Sequence, residues 1–144
     1  MKNFNEFIEE TFVYGGGSYN PIFGSSPKNG FMASIKGTEI QTSTNKRYLN
    51  RILSSFLANN IDLLEHNENY FIGTWICNEV IYIDISVNFK HKRDALKFGL
   101  YNDQKAIFDI DSNECIYLPS RQKAGTMTQQ KTYNDLLIDK LLNS

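Results

Sequence analysis

Two cysteines, three prolines and one tryptophan are all that 144 residues contain of these types, so neither a disulfide scaffold nor a proline-rich linker is available. Cys77 and Cys115 lack metal-ligand spacing, and no apolar signal segment precedes them, which predicts reduced thiols in a cytosolic protein. Histidine is equally scarce: His66 and His91 are the only two, and neither is read as part of a metal-binding helical spacing. Apolar runs stay well short of the roughly 20 residues a membrane-spanning helix needs. Neither sign of charge dominates, with 15 basic against 16 acidic residues, which argues against a broad footprint for duplex nucleic acid or an anionic membrane. No G-x-S-x-G elbow follows a strand. The glycine run of "VYGGGSYNP" follows a helix instead of preceding one and lacks the closing Lys-Ser or Lys-Thr, so it is no phosphate loop.

What is present is apolar and aromatic. At 41% hydrophobic and 13% aromatic, the chain has enough to bury a core, and its length suits one domain. "NFNEFIEETFVY" places Phe4, Phe7, Ile8 and Phe12 on one helical stripe, with Asn3 as N-cap and Glu6 three residues on. Gly15 then stands where a left-handed C-cap suits glycine, and Pro21 prevents continuation. A loop through Asn29-Gly30 leads to the strand "FMASIK", with "TEIQT" expected to pair back on it across Gly37. From Thr44 to Asn60, Tyr48, Leu49, Ile52, Leu53, Phe56 and Leu57 recur at helical spacing, ending at Asn59-Asn60. "YFIGTWIC" and "EVIYIDISVNF" are expected as strands joined by a tight turn at Asn78-Glu79. "KRDALKFGLYN" reads as a helix, "KAIFDID" and "CIYL" as short strands, and "TYNDLLIDKLL" as a closing helix over about 132–142. The apolar arc of that last helix exceeds one core contact, so it lies either at a subunit interface or between layers of its own domain. These signals predict an α+β protein: one domain spanning 1–144, a largely antiparallel sheet and three to four helices.

Candidate chemistry is sparse. Asp84, Asp109 and Asp111 fall in strand-like segments, where carboxylates serve acid-base or Mg²⁺ chemistry or simply face solvent. Cys77 is expected to be a buried structural thiol, and Cys115 likewise. "KHKR" at 90–93 opens a helix, where cations oppose the positive end of the dipole. Lys28, Arg47, Arg51, Arg121 and Lys123 are scattered cations that would hold phosphates only on converging, while Tyr19, Phe71, Trp75 or Phe89 would stack a base.

"GGGSYNP", "GFMASIKGTE", "IYIDISVNF" and "RDALKFGLYNDQKAIFDID" together resemble the first Thoeris anti-defence family of small phage proteins, over most of the chain. The resemblance implies a cytoplasmic, non-enzymatic homo-oligomeric sponge without cofactor. It would bind cyclic ADP-ribose isomers made by TIR-domain enzymes and hold them uncleaved, so blocking Thoeris signalling. The family's pocket lies between protomers and uses an aromatic residue, an Asn, an acidic residue and arginines. On this chain the resemblance implies Lys28 at the proline-loop basic position, where the family has Arg and the ammonium forgoes bidentate phosphate binding. It further implies Arg121 on a diphosphate, Phe89 and Asn88 for stacking and base-edge hydrogen bonding, and Asn102 and Asp109 on a ribose or base. Each has a plainer reading: Phe89 as core, Asn102 as a helix C-cap, Asp109 as a solvated strand residue. Two other functions stay open, an inhibitor docking on a host enzyme through Leu137 and Leu142 of the closing helix, and a phosphodiesterase using Asp84 and Asp109 with Mg²⁺.

Overall fold

The computed structural model describes residues 3–119 and 127–143, with side chains omitted from the description over 127–134. The fold is α+β: among the described residues there are five helices and seven strands, and the strand pairings within each unit are antiparallel. No described helix is long and apolar enough to cross a membrane. The chain forms two compact units, residues 1–27 with 37–87 and residues 28–36 with 88–144.

The first unit begins with helix α1 (Phe4–Tyr14), whose N-cap is Asn3, its side chain accepting from Glu6 N at 2.9 Å as the spacing predicts. Gly15 ends the helix at φ 80°. Strand β1 (Gly16–Tyr19) pairs with β4 (Tyr70–Cys77), β4 with β5 (Val80–Phe89), and β5 with β3 (Ile40–Ser43). The β4–β5 turn places Asn78 and Glu79 at φ 50° and 64°, the doubly left-handed turn that matches the twist of a two-residue hairpin. The expected hairpin between "FMASIK" and "TEIQT" does not form, because β3 pairs with β5 instead. Helices α2 (Lys46–Asn59) and α3 (Ile61–Glu65) follow β3. Leu49, Leu53 and Phe56 of α2 are buried, whereas Tyr48, on the same apolar arc, is 49% exposed.

Two polar anchors sit inside this unit. Thr11 on α1 and Thr74 on β4 share a 2.6 Å hydrogen bond between hydroxyls, fixing helix to sheet. Asn20 is fully buried, and its amide donates to Leu64 O at 3.0 Å and Tyr70 O at 2.9 Å while accepting from Ile22 N and Phe23 N. Both ends of that amide are therefore satisfied, as burial requires. The other two glycines of the run have packing reasons. A Cβ on Gly16 would lie 2.6 Å from Thr74 O, and one on Gly17 would press within 3.2 Å of the Phe7 ring.

In the second unit β2 (Phe31–Ser34) pairs with β6 (Ala106–Asp109), and β6 with β7 (Glu114–Tyr117). Helices α4 (Lys92–Tyr101) and α5 (Met127–Leu142) complete it. Its core is aliphatic: Ala33, Ala95, Leu96, Leu100, Ile107 and Ile138 are buried together. Each leucine or isoleucine there contributes about 2 kcal/mol by leaving water. Gly99 allows the close approach of α4 to the sheet, since a Cβ there would lie 2.9 Å from Ile107. Leu137, Leu141 and Leu142 pack on this core, and Leu136, 64% exposed, is the outer leucine of α5. Leu137 and Leu142, the leucines through which docking is expected, are thus partly buried against the unit's own core, which corrects their choice as an outer surface.

Candidate functional site

The loop before β2 can take its path only because residue 30 is glycine. Gly30 has φ 86°, and a Cβ on it would lie 2.3 Å from Phe89 O. Its N–H donates to the Asp111 carboxylate at 3.3 Å, and its carbonyl accepts from Ile110 N at 2.9 Å. From the other side the Asn88 amide donates to Asn29 O at 2.9 Å. Asp109 stands in register with Phe31, and its Oδ1 accepts from Asp111 N at 3.0 Å and Ser112 N at 3.4 Å, which shapes the bend into β7. The Phe89 ring, half-buried, lies 5.1 Å from that of Phe98. Three candidates, Asn88, Phe89 and Asp109, thus come to one end of the second unit around Gly30, and a fourth, Lys28, stands two residues before that glycine in the same loop.

This arrangement offers both signs of charge. Lys28 is exposed and, among the described residues, has no ion-pair partner. Asp109 is half-buried and Asp111 exposed, so this end of the unit carries carboxylate oxygens as well as the cation of the loop. Asn102 is not among them. Its Oδ1 accepts from Lys36 N at 3.0 Å and its Nδ2 donates to Phe98 O at 2.9 Å, beyond the other end of β2, where it closes α4. Arg121 and Lys123 lie outside the described residues.

The remaining candidates sort by burial. Asp84 belongs to the first unit, half-buried, and accepts from Ser86 Oγ at 2.9 Å. Gly73 opposite it leaves room for that carboxylate, since a Cβ there would lie 2.7 Å from Asp84 Oδ1. Tyr19 and Phe71 are buried at 4% and 5% exposure, which removes them as stacking surfaces, whereas Trp75 is 49% exposed. Burial, with the nearby Glu6 charge adding to it, raises the Tyr19 phenol above its ordinary value. Cys77 is exposed, not buried, because it ends β4 at the hairpin; Cys115 is half-buried, and both thiols are free. Within "KHKR", Arg93 is already bound to Asp139 at 2.9 Å, and His91 holds the N-cap position of α4 without a side-chain capping hydrogen bond.

No protein-family model, no curated protein and no solved structure matches this chain. Its chemistry therefore rests on its own residues. The expectation that neither histidine neighbours a carboxylate at ligand spacing needs correction, because Asp62, Glu65 and His66 bring three ligand atoms within 4.8 Å of one another. All three are exposed, at the end of a five-residue helix.

A second region had no forecast from the sequence. Arg51, read as one scattered cation, lines an open cleft of about 450 Å³ in the first unit, together with Ile40, Ile52 and Phe56. The signal was present as Arg51, Ser55 and Asn59 at four-residue spacing, one polar stripe on α2. The opposing wall, from Gly37 to Ile40, comes from a segment that local pattern cannot place beside it.

Proposed function

We propose that this protein is a non-catalytic binder that sequesters a cyclic ADP-ribose-type nucleotide, as its resemblance to the first Thoeris anti-defence family implies. The observation that carries the reading is the gathering of Asn88, Phe89 and Asp109 around Gly30, with Lys28 in the same loop. Lys28 would take a phosphate, the Asp109 and Asp111 carboxylates would accept from ribose hydroxyls, and the exposed part of Phe89 would stack on the base. Holding, not cleaving, suits this set: Asp109 Oδ1 is committed to two backbone N–H groups and Asn88 to a loop carbonyl, which makes them fixed acceptors and braces. In this reading a second copy of the chain closes the open side of the site and slows release.

Calorimetric titration with a panel of cyclic ADP-ribose isomers tests the proposal, followed by heating and chromatography of the released nucleotide. Tight binding with intact release supports a sponge; binding followed by a hydrolysed product would replace it with a phosphodiesterase. Lys28→Ala should weaken binding by roughly tenfold, the loss of one charge-assisted contact. A second reading, an inhibitor docking through α5, is favoured by the exposure of Leu136 at 64%. It requires Leu136→Asp to abolish capture of a host enzyme while Lys28→Ala leaves capture intact.

A further inference from the structure

The cleft on α2 is built of fixed parts. Thr38 Oγ1 accepts from Ile85 N at 3.0 Å, tying one wall to β5, and Ile40 continues that wall as the first residue of β3, in register with Ile83. The other wall is a 14-residue helix, N-capped by the Asn45 side chain and closed by the Asn60 amide, which donates to Phe56 O at 2.8 Å. Such walls need little reordering when a ligand enters.

The lining divides by chemistry. Ile40, 39% exposed, and half-buried Ile52 give the cleft apolar surface over Phe56, while exposed Arg51, Ser55 and Asn59 run along its polar side. Arg51 differs from the other described arginines. Arg93 is paired with Asp139 and Arg47 lies over the Tyr48 ring at 5.8 Å, but no carboxylate among the described residues pairs with Arg51. The acidic residue of the opposing segment, Glu39, accepts from the Gln41 amide at 3.4 Å and does not line the cleft. A guanidinium without a carboxylate partner among the described residues, beside apolar surface, matches a planar or tetrahedral anion attached to an apolar body. The volume of about 450 Å³ lies within the few hundred to ~1,000 Å³ typical of small-molecule sites.

We infer that this cleft is a binding site for a small ring-bearing organic anion, its single phosphate or carboxylate on Arg51 and Ser55 and its ring against Ile40 and Ile52. One cation suits one anionic group and not a polyanion. Asn59, two turns further along α2, would read the polar edge of the ring. The site shares no residue with the Gly30 cluster, so its test stands apart from the sponge reading.

Amide NMR of the full chain titrated with phenyl phosphate and with benzoate tests the inference, with inorganic phosphate and benzyl alcohol as the anion and the ring alone. Saturable shifts concentrated at 37–40 and 51–60 are expected for at least one of the two ring anions, and which one binds tells phosphate from carboxylate. Arg51→Gln should weaken that binding by roughly tenfold, and Ser55→Tyr should abolish it by filling the cleft. Both positions are exposed, so unchanged amide dispersion in each variant verifies the fold. No saturable shift at these segments, equal affinity in Arg51→Gln, or inorganic phosphate binding as tightly as phenyl phosphate would overturn it.

Discussion

The two units handle polar groups in opposite ways. The first buries them: Asn20 is fully enclosed and serves four backbone partners, and Thr11 meets Thr74 inside the helix–sheet contact. The second keeps its interior aliphatic and sets its polar braces at the rim, where Asn88 holds Asn29, Asn102 holds Lys36 and Asp111 holds Gly30. An interior hydrogen bond fixes register, because leaving it unmade costs the full desolvation of the group. A rim bond is replaceable by water and so is cheaper to rearrange. The second unit therefore carries its exchangeable hydrogen bonds at its rim.

The comparison can be broken most sharply at Asn20. Asn20→Ala leaves two carbonyls and two N–H groups without their partner, and should cost about 4 kcal/mol in chemical denaturation. Faster hydrogen exchange at the β1 and β4 amides should accompany it. Leu96→Ala, in the aliphatic core of the second unit, should cost about 3 kcal/mol through lost burial and a cavity. If Leu96→Ala proved far costlier than Asn20→Ala, the buried amide would not be the stronger anchor. Gly30→Ala combines positive φ with a clash against Phe89 O and should cost about 2 kcal/mol, with exchange rising over 28–31. Asn88→Ala should cost only about 1 kcal/mol, since water can reach Asn29 O.

The smallest effect concerns pH. The folded Tyr19 phenol is raised by burial and then by Glu6, so between its ordinary value near 10 and its raised value the unfolded chain has lost a proton that the folded chain keeps. Stability should hold below pH ~10 and fall as pH climbs through that window, and Tyr19→Phe should flatten the fall in alkaline denaturation. An unchanged alkaline slope would show that the ring is more hydrated than its burial implies.

Much of the local structure is legible in particular residues. Asn3 with Glu6 announces the start of α1, Gly15 its end, and the spacing of Leu49, Leu53 and Phe56 the buried face of α2. Cys77 was misread because strand composition says nothing about distance from the hairpin end. The pairing of β3 was misread because a short linker through Gly37 favours the adjacent strand, whereas β3 found β5, some forty residues along the chain. Asn102 was a poor site candidate for a related reason, since a C-cap position already uses both ends of its amide.

Composition and periodicity by themselves determined the class of this protein, α+β, and both ends of α1, because those depend on contacts within a few residues. The closing helix, by contrast, starts at Met127 and not near 132, and α3 makes five helices among the described residues where three to four were expected. Only the tertiary structure decided which cations meet which walls. Asn29, next to Lys28 in sequence, meets the Asn88 amide in a loop that Gly30 permits, and Arg51 faces Gly37–Ile40 because β3 pairs far from its neighbours in sequence. Long-range pairing is set by the burial of a whole face at once, a sum over many residues that no short window of sequence contains.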